Sequence, residues 1–187
     1  MDEEIQFYLS EAEESMGKSL QHTGLELSRI RAGKASPAML DSLRVDYYGT
    51  PTPIAQIANI SVPDARSLFI KPWEKNMISE VAKAIKNSDL GLNPASDAEG
   101  VRLNIPPMTE ERRRDLVKQV KNETESGKIR IRGIRKDVNE SLRKLLKDGA
   151  AEDAIKDAEA KVQKATDAYI SKIDELMSKK ESEIMTI

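Results

Sequence analysis

Cysteine is absent from this 187-residue chain, histidine occurs once, and aromatic residues make up only 4% of it. The first absence excludes disulfides and thiolate metal sites, and the second removes His-cluster zinc, a Ser-His-Asp triad and any Cys-His pair. No metal and no cofactor is therefore expected. No apolar run approaches the roughly 20 residues needed to span a bilayer, so no membrane partner is expected. The opening Met1-Asp2-Glu3-Glu4 is acidic where a secretory signal would be basic. Together these absences point to a reducing, cytoplasmic setting. What is present, 33% charged and 39% hydrophobic residues, suits a helix-rich folded chain and is too apolar for wholesale disorder.

The formal net charge of −2 conceals a strong local asymmetry. Residues 112–147 hold 13 basic and 5 acidic side chains, while residues 1–31 hold 3 and 7, and residues 148–187 hold 6 and 10. Residues 32–106 are balanced, with 8 of each sign. One segment is a concentrated cation inside an otherwise acidic protein.

Periodicity divides the chain. From Ile5, the residues Leu9, Ala12, Met16, Leu20, Thr23, Leu27 and Ile30 recur at three and four, one face of a long first helix. Residues 32–106 hold every proline but Pro107, and all the short alternating runs. Leu43 to Tyr47 alternates and meets the turn signal Gly49-Thr50-Pro51; Asn59 to Val62 and Leu68 to Lys71 are similar. Ile78, Val81, Ala82 and Ile85 predict a short amphipathic helix, and Asp97 to Gly100 a turn between two last strands. Thr109 is placed to cap a second long helix whose face carries Leu116, Val120, Ile131, Ile134, Val138, Leu142 and Leu145. A third repeats the pattern through Ile155, Ala158, Val162, Ala165, Tyr169, Ile173, Leu176 and Ile184. Three helices with one apolar stripe each can bury them together. The expected fold is α+β: an elongated antiparallel three-helix bundle from residues 1–31 and 106–187, with a small mixed α/β domain, residues 32–105, inserted between its first and second helices. The junction is two single strands of backbone, Arg31-Ala32-Gly33 and Asn104-Ile105-Pro106, which reads as a hinge, or as the connection within one rigid body if a large interface locks it.

On a helical wheel with Ile131 at zero, Arg114, Lys118, Lys121, Lys128, Arg132, Arg135, Lys136 and Arg143 fall between about 40° and 140°, and Glu125 is the one acid among them. Like charges at neighbouring turns repel by a few tenths of a kcal/mol per pair, so a flank that accepts this suggests a polyanion surface. The alternative is neutralisation by the acidic first and third helices. Gly127 and Gly133 interrupt the helix beside these cations, as close approach to a phosphate backbone would want, or as a kink would produce. With so few aromatics, base stacking is disfavoured and double-helical RNA, read through phosphates and shape, suits the flank better.

No enzyme is visible. His22 sits beside the first apolar stripe and reads as a partly buried structural residue, and no glycine-rich phosphate loop follows a strand.

Five stretches carry a resemblance: Arg29-Ile30-Arg31-Ala32-Gly33-Lys34-Ala35-Ser36-Pro37, Tyr47-Tyr48-Gly49-Thr50-Pro51, Ser88-Asp89-Leu90-Gly91-Leu92-Asn93-Pro94, Thr109-Glu110-Glu111-Arg112-Arg113 and Ile131-Arg132-Gly133-Ile134-Arg135-Lys136-Asp137. In this order and over essentially the whole chain, the sequence resembles the bacterial ribosome recycling factors. The resemblance implies an L-shaped pair, a three-helix bundle with a flexibly hinged α/β domain. It also implies a non-enzymatic factor that enters the ribosome after peptide release and lies across the aminoacyl and peptidyl tRNA positions of the large subunit. There it splits the subunits with elongation factor G and GTP, initiation factor 3 acting afterwards, and a monomer is expected. Arg132 and Arg135 match the family's paired arginines on large-subunit ribosomal RNA, and Arg31 matches its arginine at the end of the first helix. Lys121, Lys128 and Lys136 join the candidate RNA-binding residues from the wheel. Lys34 stands where Arg is usual in the family and Gly133 where Asn is common; Lys34 keeps charge but not the bidentate fork. The competing readings are a coiled-coil adaptor or chaperone that binds proteins through its helices, and an enzyme with an unrecognised site in the insert.

Overall fold

In a computed structural model, the structure describes residues 1–31 and 33–186. The chain forms two compact units, one of helix α1 (Asp2–Arg29) with Glu110–Thr186, the other Gly33–Thr109.

In the first unit α1 packs on α4 (Glu110–Lys147) and α5 (Glu152–Met185), and α4 packs on α5. Ile5 and Ala12 meet Val138, Leu142, Leu145, Ile155, Ala158 and Val162, while Met16 meets Ile131 and Ile173. Advancing along α1 therefore means advancing along α5 and retreating along α4, so the bundle is antiparallel. Reversal between α4 and α5 takes four residues, with Gly149 at φ +100. The Ala150 N–H donates to the Leu145 carbonyl at 3.0 Å and the Gly149 N–H to the Leu146 carbonyl at 3.2 Å, which satisfies the last carbonyls of α4 in the way a left-handed glycine allows. Ile30 is buried, but its backbone has already left the helix, at φ −78 and ψ 108.

Midway along, the bundle core turns polar. Ser19, Thr23, Thr124 and Thr166 are buried. Each threonine hydroxyl donates to the carbonyl one turn back: Thr23 to Ser19 at 3.0 Å, Thr124 to Val120 at 2.9 Å and Thr166 to Val162 at 2.8 Å. Gly127 lies at this level. A Cβ there would overlap the Thr23 hydroxyl and press on Ile173 Cδ1 at 3.2 Å, so the glycine lets α1 and α4 approach. This corrects the expectation that Gly127 opens backbone to a ligand; of the two α4 glycines it is Gly133 that is open, with nothing within 4 Å of where a Cβ would stand. His22 is also corrected: it is exposed, because it lies about 100° around α1 from buried Thr23.

In the second unit a short 3-10 turn, Pro37–Leu40, precedes a hairpin of β1 (Arg44–Tyr47) and β2 (Thr50–Pro53), which turns through Tyr48 and Gly49 at positive φ. A four-residue helix α2 (Ile54–Ile57) leads into an antiparallel sheet of β3 (Ala58–Asp64), β4 (Ser67–Pro72), β5 (Pro94–Ser96) and β6 (Val101–Asn104), in the order β3-β4-β6-β5. Helix α3 (Ile78–Lys86) packs against β1, β5 and β6. Alternation puts Leu68 and Ile70 of β4 and Val101 and Leu103 of β6 into a core with Leu40, Val45, Ile54, Val81 and Ile85. Two turns are tied by carboxylates. Asp97 accepts from the Glu99 and Gly100 N–H groups at 2.8 and 3.1 Å, and Asp64 from the Arg66 N–H and the Ser67 hydroxyl, both at 2.9 Å. These bonds hold both carboxyls below the ordinary value of 3.8.

Candidate nucleic-acid interface

Helix α4 is 38 residues long, about 57 Å at 1.5 Å per residue. It carries no aromatic residue, so whatever it binds is held through charge and shape. Its apolar stripe, Leu116, Val120, Ile131, Val138, Leu142 and Leu145, is buried, which fixes the wheel and turns the cationic flank toward the exposed edge of the seam with α5.

The flank is not uniform. Lys128 is drawn into the seam, its side chain only 18% exposed, with its amine 2.5 Å from Asp174 Oδ1 on α5. A cation so placed, itself largely buried, has already met its counterion. The wheel puts Lys128 in the RNA-binding set; the structure puts it in the bundle's own structure. Arg143 reaches Glu159 of α5 at 3.7 Å, and Arg114 pairs with Glu110 of its own helix at 2.6 Å. Neutralisation across the bundle thus operates at two of the eight positions, both through α5.

The others stay available. Lys118, Lys121 and Lys136 are exposed, and among the described residues no carboxylate pairs with them. Arg132 touches Glu125 at 3.2 Å, with both side chains about half exposed at 45% and 57%. Such surface pairs are worth only about 0–1 kcal/mol, so the guanidinium exchanges readily to a phosphate. Arg135 donates to a neutral acceptor, Gln163 Oε1 of α5, at 3.2 Å. A guanidinium with four N–H groups left can take a phosphate bidentately. Lys121, Arg132, Arg135 and Lys136 are therefore the open cations of the proposed set, joined by Lys118. Sequence reasoning missed Arg130, whose guanidinium crosses to α1 and donates to Thr23 Oγ1 at 3.2 Å and Ser19 Oγ at 3.4 Å. The wheel put it off the flank and gave no sign that hydroxyls would receive it.

Arg31 is exposed just beyond α1. Of the candidate hinge residues, Ala32 lies outside the described residues. Gly33 has φ +78, a conformation that calls for glycine, and the flexible Met108 side chain packs beside it. Asn104 is still in the sheet, opposite Ser67, and Ile105 is buried with its N–H on the Arg66 carbonyl at 2.8 Å. Those two belong to the insert, and the return connection is placed later, from Pro106 to Thr109.

Comparison with known proteins finds relatives along nearly the whole chain. Residues 24–185 match the ribosome recycling factor family. The ribosome-recycling factor of Cytophaga hutchinsonii is 55% identical over 185 residues, covering 99% of this chain and all of that protein. That of Flavobacterium johnsoniae is 52% identical over 187 residues, the full length of both. Among solved structures, a solution structure of the ribosome recycling factor is 38% identical with a TM-score of 0.74 over 98% of each chain. A model of the Thermus thermophilus factor, from work that places it and Escherichia coli elongation factor G on the E. coli post-termination complex, is 43% identical with a TM-score of 0.61, over 97% of this chain and 98% of that one.

Proposed function

This chain belongs to the ribosome recycling factor family, and on that premise we propose that it disassembles the post-termination ribosome, separating the subunits together with elongation factor G and GTP. The observation that carries the reading is the row of open cations, Lys121, Arg132, Arg135 and Lys136, on a helix flank without aromatics. Phosphates of double-helical ribosomal RNA are the polyanion such a row fits, since contact there is made by charge and shape without unstacking a base. The bundle docks on large-subunit RNA at the aminoacyl and peptidyl tRNA positions, with Arg31 contributing at the end of α1.

The insert has a different part. It brings no excess charge, and it is joined through Arg31 to Gly33 on one side and Pro106 to Thr109 on the other. A translocating partner that pushes the insert would load the bundle through these two strands. The energy for that step comes from GTP hydrolysis on elongation factor G. Initiation factor 3 then keeps the separated subunits apart. The protein acts in the cytoplasm as a monomer.

Sedimentation of post-termination ribosomes tests the reading. With this protein, elongation factor G and GTP, joined ribosomes shift to free subunits, and omission of any one prevents the shift. Ribosomes that remain joined under the complete mixture would refute it, and a helical adaptor for protein partners would leave the profile unchanged.

A further inference from the structure

The α5 residues facing the cationic flank form a row at helical spacing: Glu159, Gln163, Asp167 and, two turns on, Asp174. Two rungs between α4 and α5 end on carboxylates, Arg143 on Glu159 and Lys128 on Asp174. The Arg135 rung ends on an amide. Gln163 Oε1 accepts from Arg135 Nη1 at 3.2 Å, while its Nε2 donates to Asp167 Oδ1 at 2.9 Å. An ionised carboxylate only accepts, so Asp167 must face the amide nitrogen, and this turns the amide oxygen toward the arginine. The two bonds fix the amide's orientation from opposite ends.

We propose that Gln163 is a positioning residue for RNA binding: oriented by Asp167, it holds the Arg135 guanidinium at the seam without cancelling its charge. This rests on the large-subunit reading above. A glutamate at the same position would offer two charged oxygens and convert Arg135 into another neutralised rung. An amide takes a single N–H bond and leaves the net charge and the remaining donors to a phosphate. Holding the side chain beforehand also lowers the ordering cost at binding.

The test is a double-mutant cycle on binding to purified large ribosomal subunits, with Q163E and R135A singly and together, and Q163M as the neutral control of similar length. Position 163 is exposed, so these changes leave the bundle folded, which circular dichroism checks. Q163E should weaken binding about tenfold where Arg135 is present and less than about twofold where it is alanine, and should make the salt slope shallower by about one. Q163M should weaken binding about threefold, from lost positioning alone, at an unchanged slope. An equal loss from Q163E in both backgrounds would overturn the inference, since the new charge would then act on RNA directly. An R135A variant that binds like wild type would overturn both the inference and the large-subunit reading beneath it.

Discussion

In the insert the large buried side chains, Leu40, Val45, Ile54, Leu68, Ile70, Ile85 and Leu103, are all apolar, whereas the bundle also buries Ser19, Thr23, Thr124 and Thr166 beside Met16, Ile131 and Ile173. Charge divides the same way: the stretch 32–106 is balanced and the segment 112–147 carries a large excess of cations. The comparison separates two tasks. An apolar core with a charge-balanced surface makes a body that binds little by charge. A bundle whose middle is small and polar brings its helices close enough for α5 to select which cations of α4 are neutralised and which remain open.

Damage to the insert core should show the separation most strongly. Ile70 is fully buried on β4, and Ile70→Ala should cost the insert about 2–5 kcal/mol. Calorimetry should show the insert melting earlier while large-subunit binding stays within about twofold of wild type; simultaneous loss of bundle and insert would break the comparison.

The two glycines of α4 sharpen it with the same chemical change. Gly127→Ala should destabilise the bundle by about 1–3 kcal/mol, because the methyl meets Thr23, which is β-branched and tied to the Ser19 carbonyl. Gly133→Ala, in open space, should stabilise by about 0.5–1 kcal/mol through helix propensity. Chemical denaturation measures both, and equal signs would contradict the close-packing role.

A smaller effect belongs to the insert's turn. The Asp97 carboxyl lies below its ordinary value because it accepts backbone N–H bonds, so its stabilisation is fully present above that value and disappears as pH falls through the lower folded one. Asp97→Asn should therefore melt below wild type at neutral pH and converge with it in strong acid. A constant gap at every pH would show that charge is not what ties the turn.

Much of this was legible in the chain itself. Three-and-four spacing marked all three long helices, and alternation marked β1, β3 and β4, because amphipathic elements carry the period of the face they bury. The short helix α2 was not, since four residues carry no period, while β5 and β6 were expected from the Asp97–Gly100 turn between them. The candidate site divides on the same principle. Exposure of Arg132 and Lys136, and the half-buried place of Arg135 about 40° from Ile131, follow from their angles on a single helix. The fate of Lys128 depends on the register that brings Asp174 of α5 opposite it, and one helix's sequence does not contain that register. Gly127 was readable in retrospect, since the wheel places it about 40° from Ile131, inside the apolar stripe. His22 erred in the opposite direction, by adjacency along the chain where angle around the helix decides.

The central claim is that the bundle's open cations hold large-subunit RNA despite a formal net charge of −2. Binding of the protein to isolated large subunits across a series of salt concentrations tests it most directly. If four or five cations meet phosphates, log K should fall against log salt with a slope of about −3 to −4, and the R132A/R135A double variant should lower that magnitude by about two while melting like wild type. A slope near zero, or one the double variant leaves unchanged, would contradict it.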